Sequence, residues 1–362
     1  MTTHSEIQET RHLLRGPILL AHDNFTPLTR TPWGGKEIWR RYKSHLAGTG
    51  EEQAIGESWE ISCDPTFPSK ISETEITLQE VIDAFPEEML SPALVKHGVK
   101  TCEILVKLLN AADPLSLQIH PEDGDGFLAP GECGKPESWL ILHAEPGAGL
   151  YLGFSRAISR DGLREILSKP GDEAKEVLQF VPVKAGDYFE IAPGVPHAIG
   201  PGVTLLEPQR IRVGQSGKTY RVWDWGRVYN DKGFPDPVRG KPRELHLDAG
   251  LRLMDPMTQV GESFVASTRR LPRTHHPRPG FVWQEYPANP HFQVHVLRCE
   301  PRVEAVLEVV HGYAVATQLE GKMRMKGGDG LVEELFFGQS AFCQPLQCPF
   351  VYMPQPGGSP SS

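Results

Sequence analysis

Leu117-Gln118-Ile119-His120-Pro121 alternates apolar and polar side chains, so on a strand Gln118 and His120 project from one face. Ser116, two residues before Gln118, belongs to the same face. Lys135-Pro136-Glu137 follows a turn-rich loop, and a later alternating run from Gly186 ends at Ala192-Pro193-Gly194-Val195-Pro196-His197. Two imidazoles, a carboxylate and an amide oxygen form a donor set for a hard-to-borderline metal. Gln118, His120, Glu137 and His197 are therefore the candidate ligands. Singly, each is weak: a Gln-x-His pair is more often a polar strand face, and a histidine after a Pro/Gly turn more often a hydrogen-bonded one.

Working outward, the 362 residues allow two to three domains and a sizeable core. The 36 glycines and 33 prolines are spread along the chain, which reads as many tight turns in a β-rich fold rather than a disordered linker. The net charge is −9 and there is no long basic run, which argues against a nucleic-acid partner. No apolar run reaches the length of a membrane span. The first fifteen residues lack the charge order and apolar core of a secretory signal. The six cysteines (Cys63, Cys102, Cys133, Cys299, Cys343, Cys348) show no paired spacing. Reduced thiols and a cytoplasmic setting are expected.

Residues 1–16 are a polar N-terminal segment. Gly56 to Ser62 alternates as a half-buried strand, and Trp33 sits in the Thr31–Lys36 turn as an exposed-looking aromatic; both Trp33 and Trp59 read as packing residues more readily than as ligand contacts. Leu78, Val81, Ile82 and Phe85 recur at helical spacing. Cys102 to Leu109 is an apolar run that reads as a strand buried on both faces. Lys107 inside it must reach a carboxylate, an anionic ligand or a cavity, or else snorkel from a strand end. Residues 155–181 form a small helical insertion, with Ser159 and Asp172 as N-caps. A boundary is expected near Arg243. The remaining chain, 244–353, reads as a second β domain without metal, and 354–362 as a disordered tail.

Two ligands from one strand, a third beyond the next turn and a fourth from a later strand describe the cupin layout. The expected fold is thus mainly β: a cupin-like β barrel with a helical insertion and the metal in residues 17–243, followed by a second small β sandwich or barrel. The resemblance goes further. Lys107 to His120, Lys135-Pro136-Glu137, Ala192 to Ile199, Leu205-Leu206-Glu207 and Thr219-Tyr220-Arg221 resemble type I phosphomannose isomerases. Thr31 to Gly35, Gly56 to Trp59 and Arg243 to His246 look like further motifs of that family. The resemblance implies two cupin-like β-barrel or jelly-roll domains with a helical insertion, one Zn²⁺ per chain on Gln118, His120, Glu137 and His197, and interconversion of mannose 6-phosphate and fructose 6-phosphate. It implies a catalytic Arg221, and a pocket lined by Ser116, Lys107, Lys135 and Glu207, with Trp33 placed among the substrate-binding residues. The partner would be a small sugar phosphate, with no membrane, and the protein a monomer or weak homodimer.

The chemistry is consistent with these residues. An aldose–ketose isomerisation needs negative charge stabilised on two adjacent oxygens, and one carboxylate among neutral donors leaves a divalent ion its Lewis acidity. Arg221 cannot lose its proton, so it suits charge stabilisation. Glu207 and Lys135 are the titratable candidates for proton transfer, with a water on the metal as a third option. The stretch Arg210 to Lys218 is more basic than the family leads one to expect: phosphate contacts or a solvated loop. Gly217-Lys218-Thr219 is not a phosphate loop, because the required first glycine is Arg212. Two alternatives remain. His120, Glu137 and His197 alone would suit a non-haem iron oxygenase, though Gln118 would occupy a position O₂ needs. A non-catalytic sugar-phosphate-binding cupin is the other.

Overall fold

The computed structural model describes residues 4–46, 52–169, 171, 173–300, 303, 305–307, 312–326, 332–345 and 350–355. Two five-stranded sheets face each other. One runs Glu57–Ile61, Ile104–Ala111, Val203–Arg210, Glu137–Ala144, Tyr188–Ile191 in spatial order; the other Tyr220–Trp223, Leu117–Ile119, His197–Ile199, Gly149–Phe154, Leu178–Pro182. Neighbours within each sheet are antiparallel. The sheets remain separate, so the unit is a jelly-roll sandwich and not a closed barrel.

Burial follows from alternation on two faces. The Ile104–Ala111 strand is buried over nearly its whole length. Its inward residues Leu109 and Ala111 join Trp139, Ile141, Leu150, Leu152, Leu205 and others between the sheets. Its outward Val106 packs with Leu78, Val81, Ile82 and Phe85. Those four come from the expected helical stretch, where Thr77 and Glu80 form a capping box that starts Leu78–Ala84. Each such side chain contributes about 1.5–3 kcal/mol when fully buried. The helical insertion is present as Arg160–Leu167, capped by Ser159, and Glu173–Val177. Asp172, the expected second cap, lies outside the described residues.

The N-terminal segment folds as a helix, His4–Glu9, running into a tighter turn at Thr10–Arg15, because Ile7, Leu13 and Leu14 pack on the outer helices. The expected boundary near Arg243 falls in a loop. Beyond it, the helix Leu247–Leu253 packs on Tyr220–Trp223 and Gly261–Thr268 on Gly149–Phe154, so both still belong with the sandwich by packing. The rest forms smaller sheets: Arg273–Arg278 with Phe281–Glu285 and His295–Cys299, and a four-stranded sheet ending at Phe350–Gln355. Pro354 and Gln355 are thus the end of a strand; residues 356–362 lie outside the described residues. Ile18–Leu19 pairs with Ser340–Cys343 and ties the chain's two ends together.

That joint has a charged core. Lys43 Nζ lies 2.8 Å from Glu60 Oε1, both fully buried, and also donates to the carbonyl of Gly338. Ser340 Oγ lies 3.3 Å from the same carboxylate.

Candidate metal centre

The inner face of the sandwich is apolar at one end and charged at the other. Along Ile104–Ala111 the same face reads Leu109 and then Lys107; along Val203–Arg210 it reads Val203, Leu205, Glu207, Gln209. Lys107 is registered directly against Glu207, and Gln209 against Glu137. In the opposite sheet, Gln118 is registered against both His197 and Arg221. Cross-strand partners share a face, so strand pairing alone assembles one polar cluster.

At its centre, the ligand atoms of His120, Glu137 and His197 all lie within 4.8 Å of one another. His120 Nε2 is 3.1 Å from His197 Nε2 and 3.3 Å from Glu137 Oε2, and His197 Nε2 is 3.5 Å from Glu137 Oε1. The other ring nitrogens fix the tautomers. His197 Nδ1 is 2.8 Å from the Val195 carbonyl and His120 Nδ1 is 3.1 Å from that of Lys218. A carbonyl only accepts, so each Nδ1 donates and each neutral ring turns a bare Nε2 inward. Burial pushes the His197 imidazolium down to about 3, reinforced by His120; burial and then Lys135 lower His120 as well. Burial alone would raise Glu137, but Lys135 and His120 hold its carboxylate well below the usual range. Two lone pairs and an anion thus converge with no proton between them. That arrangement repels itself unless a cation sits there, and oriented Nδ1–H donors are how histidine ligands are held. The residues fit a metal ion.

Gln118 stands beside this cluster. Its Nε2 donates to Ser116 Oγ at 3.1 Å, which leaves the amide oxygen as a possible donor atom. Lys135 Nζ lies 2.9 Å from Glu137 Oε2 and 3.8 Å from Glu207 Oε1. Lys107 Nζ lies 3.9 Å from Glu207 Oε1 and 3.7 Å from Glu57 Oε2. Burial raises Glu207 to about 8, with Glu137 adding to the shift and the two lysines opposing it. Burial, and then Arg243, lower Arg221. Its Nη1 donates to the Glu244 carbonyl at 3.2 Å, while its buried Nε has no partner.

The structure therefore brings together Gln118, His120, Glu137, His197, Ser116, Lys107, Lys135 and Glu207, with Arg221 registered beside Gln118. It does not bring Trp33. That ring is buried in the apolar core with Leu109, Ala111 and Leu115. The reason is close approach: a Cβ on Gly34 would lie 2.5 Å from Gly56 N, and one on Gly35 2.1 Å from Asn110 Oδ1. The turn is pressed onto the sheet, and its aromatic goes inward. The basic stretch is exposed over Arg212 to Gly214, and its cations are tied to acidic residues. Arg210 and Arg212 both pair with Asp123, at 2.8 and 2.7 Å, and Lys218 pairs with Glu132 at 2.7 Å.

Three residues were not singled out by the sequence. Glu57 reaches Lys107 and accepts from Trp59 Nε1 at 2.9 Å. Gln209 is fully buried with neither amide atom bonded. The Trp139 ring stands edge-on to His197, 5.3 Å between centroids. Glu57 had a signal: the alternation of Gly56 to Trp59 puts it on the face of Trp59.

Fold and cluster define a cupin-type jelly-roll protein with a candidate metal centre at one end of the sandwich. Comparison with known proteins narrows this. Residues 27–132 match the family described as phosphomannose isomerase type I, catalytic domain. A mannose-6-phosphate isomerase of Streptococcus mutans is 29% identical over 222 residues, which is 61% of this chain and 64% of that protein. Mannose-6-phosphate isomerase ManA of Bacillus subtilis is 34% identical over 153 residues, 42% of this chain and 44% of that one. The aligned stretches thus span less than two thirds of these relatives. In three dimensions, the mannose 6-phosphate isomerase of Bacillus subtilis superposes with a TM-score of 0.74 at 24% identity, covering 94% of this chain and 97% of that one. The apo form from Salmonella typhimurium gives 0.67 at 16%, covering 94% and 96%. These two likenesses show the shared fold. The chain thus resembles the type I phosphomannose isomerases, through residues 27–132 in sequence and through its whole fold in three dimensions.

Among the described residues no helix is long and apolar enough to cross a membrane.

Proposed function

We propose that this chain is a zinc-dependent isomerase that interconverts mannose 6-phosphate and fructose 6-phosphate in the cytoplasm, with one metal per chain, as a monomer or weak homodimer. The observation that carries the reading is the convergence of two unprotonated imidazole nitrogens and one carboxylate beside a buried lysine–glutamate network. Imidazoles, a carboxylate and an amide oxygen suit zinc, and Gln118, His120, Glu137 and His197 would hold it. When bound, zinc supplies Lewis acidity toward the oxygens on C1 and C2.

The chain's own residues supply the rest. Glu207 is buried and titrates near working pH, so it can take a proton from one carbon and return it to the other through an enediol. Lys135 is the alternative carrier; the attraction of Glu137 and Glu207 outweighs its burial and keeps it protonated, which favours Glu207 as the base. Arg221 stays charged and has an unspent N–H, suited to an enediolate or an anionic substrate. Ser116 fixes the rotation of the Gln118 amide.

The test is a coupled isomerase assay on purified protein with added zinc and a panel of sugar phosphates, repeated after chelation. Fully metallated protein without turnover would defeat the reading. Arg221→Ala should keep its metal and lose most turnover; near-normal activity would remove Arg221 from its role.

A further inference from the structure

The charged end of the sandwich has a cation outside the cluster. Arg30 is exposed, yet its guanidinium is held in place. It lies 4.8 Å from the ring centre of Phe67 and 5.5 Å from that of Trp59, two rings that are themselves 5.2 Å apart. Lys107 Nζ sits over the same Trp59 ring at 4.4 Å. One indole thus carries a cation from inside the pocket and one from its rim. Among the described residues Arg30 has no carboxylate within ion-pair distance, unlike Arg40, Arg41, Arg210 and Arg212, each of which has one.

Stacking spends the faces of a guanidinium and leaves its in-plane N–H edge free. That edge matches two oxygens of a phosphate or carboxylate. Position supplies the rest. The Trp59 strand is next to the Lys107 strand, which is next to the Glu207 strand. Two strand spacings, on the order of 10 Å, therefore separate the Trp59 strand from the Glu207 strand. A hexose 6-phosphate reacts at C1 and C2 and carries its dianion at the far end of the carbon chain. A substrate with its reacting end at Glu207 and the histidines would extend its phosphate toward Lys107 and the rim.

We propose that Arg30 recognises the substrate's phosphate together with Lys107, with Trp59 and Phe67 as the clamp that holds its guanidinium edge-on. The proposal rests on the isomerase reading above. A purely structural Arg30 would serve only to cover Trp59 and to balance Glu57, and it would not distinguish phosphorylated from unphosphorylated sugar.

The experiment compares metallated wild type, Arg30→Ala and Arg30→Lys on mannose 6-phosphate and on mannose. Losing a charge-assisted bidentate contact should lower the ratio of kcat/KM for the phosphorylated over the plain sugar about 10- to 100-fold, chiefly through KM. Arg30→Lys should recover part of it, since it keeps the charge and loses the fork. An equal loss on both sugars, or an unchanged ratio, overturns the proposal. Calorimetric titration with mannose 6-phosphate and with mannose separates this from the isomerase reading. If wild type turns over neither sugar, that reading fails, and a selective loss of mannose 6-phosphate binding in Arg30→Ala still supports Arg30. Loss of bound metal in Arg30→Ala would also count against it, since Arg30, Trp59 and Phe67 are not among the candidate ligands.

Discussion

Glu137 is given two tasks by the geometry, and they can be pulled apart. It faces His120 and His197 as a candidate ligand, and it is the nearest anion to the buried Lys135, 2.9 Å away. At an effective dielectric of about 20 the second contact is worth about 6 kcal/mol of Coulomb attraction, and the Lys135–Glu207 contact at 3.8 Å about 4 kcal/mol. Desolvation offsets most of both, so the net cost of breaking such a buried pair is about 3–5 kcal/mol. Glu137→Gln should therefore destabilise the metal-free protein by about that much, at the lower end because Glu207 still faces the lysine. Lys135→Met alone should cost a similar amount, because it leaves Glu137 and Glu207 uncompensated. The double variant removes both charges from the interior and should recover at least half of the summed loss.

Metal affinity should behave differently. Glu137→Gln removes the one anionic donor among neutral ones and should weaken zinc at least 100-fold; the double variant should stay as weak, because Lys135 is no ligand. The assay is urea unfolding of chelated protein alongside competitive zinc titration, for all four members of the cycle. The reasoning is refuted if zinc affinity returns in the double variant, since Glu137 would then matter only as the partner of Lys135. It is equally refuted if the stability losses simply add.

Other consequences are as direct. His120→Ala and His197→Ala should each lower bound metal, measured by elemental analysis, and full occupancy in both would take them out of the ligand set. Trp33→Ala should cost about 3–5 kcal/mol by emptying core volume, with little change in KM beyond the loss of folded protein; a large, selective KM effect at full stability would restore Trp33 to the pocket. Lys43→Met should cost about 3–5 kcal/mol, because Glu60 stays buried against Ser340 without its cation, and unfolding curves will show it. Burial works against the ionised Asp123, but Arg210 and Arg212 bring it down to about 2 from an ordinary 3.8. Its contribution is thus complete above about pH 4 and fades as pH falls toward 2, so Asp123→Asn should flatten that part of the stability–pH curve.

Much of the site was legible because it depends on local alternation. Ser116, Gln118 and His120 needed only a strand of period two. Glu137 and His197 needed only the order in which strands and turns follow. The apolar-to-charged switch within Cys102–Leu109 marked Lys107 as a residue in need of a partner, and the structure supplies Glu207 and Glu57. What was not legible depends on register between distant strands. Glu57 meets Lys107 only because Trp59 pairs with Lys107 rather than with a neighbour, and Gln209 lies beside Glu137 only because residues 72 apart in sequence are paired. No pattern within either strand fixes that choice.

Trp33 and the basic run are both placed by contacts that neither stretch shows alone. A Trp in a Pro-Trp-Gly-Gly turn looks exposed, and a run with Arg210, Arg212 and Lys218 looks like a free basic surface, as long as each is read alone. In the fold, Gly34 and Gly35 allow the backbone to press on Gly56 and Asn110, and the basic run meets Asp123 and Glu132 from the loop that follows His120. That second contact bears on the site itself. The loop from Pro121 to Pro136 joins His120 to Glu137, and its acidic residues are held by the strand and turn that carry Arg210, Arg212 and Lys218. The basic residues therefore tie down the loop that joins two candidate ligands. By the same reasoning, Arg212→Ala should weaken metal affinity, measured by competitive zinc titration, and an unchanged affinity would show that the loop is held without this pair.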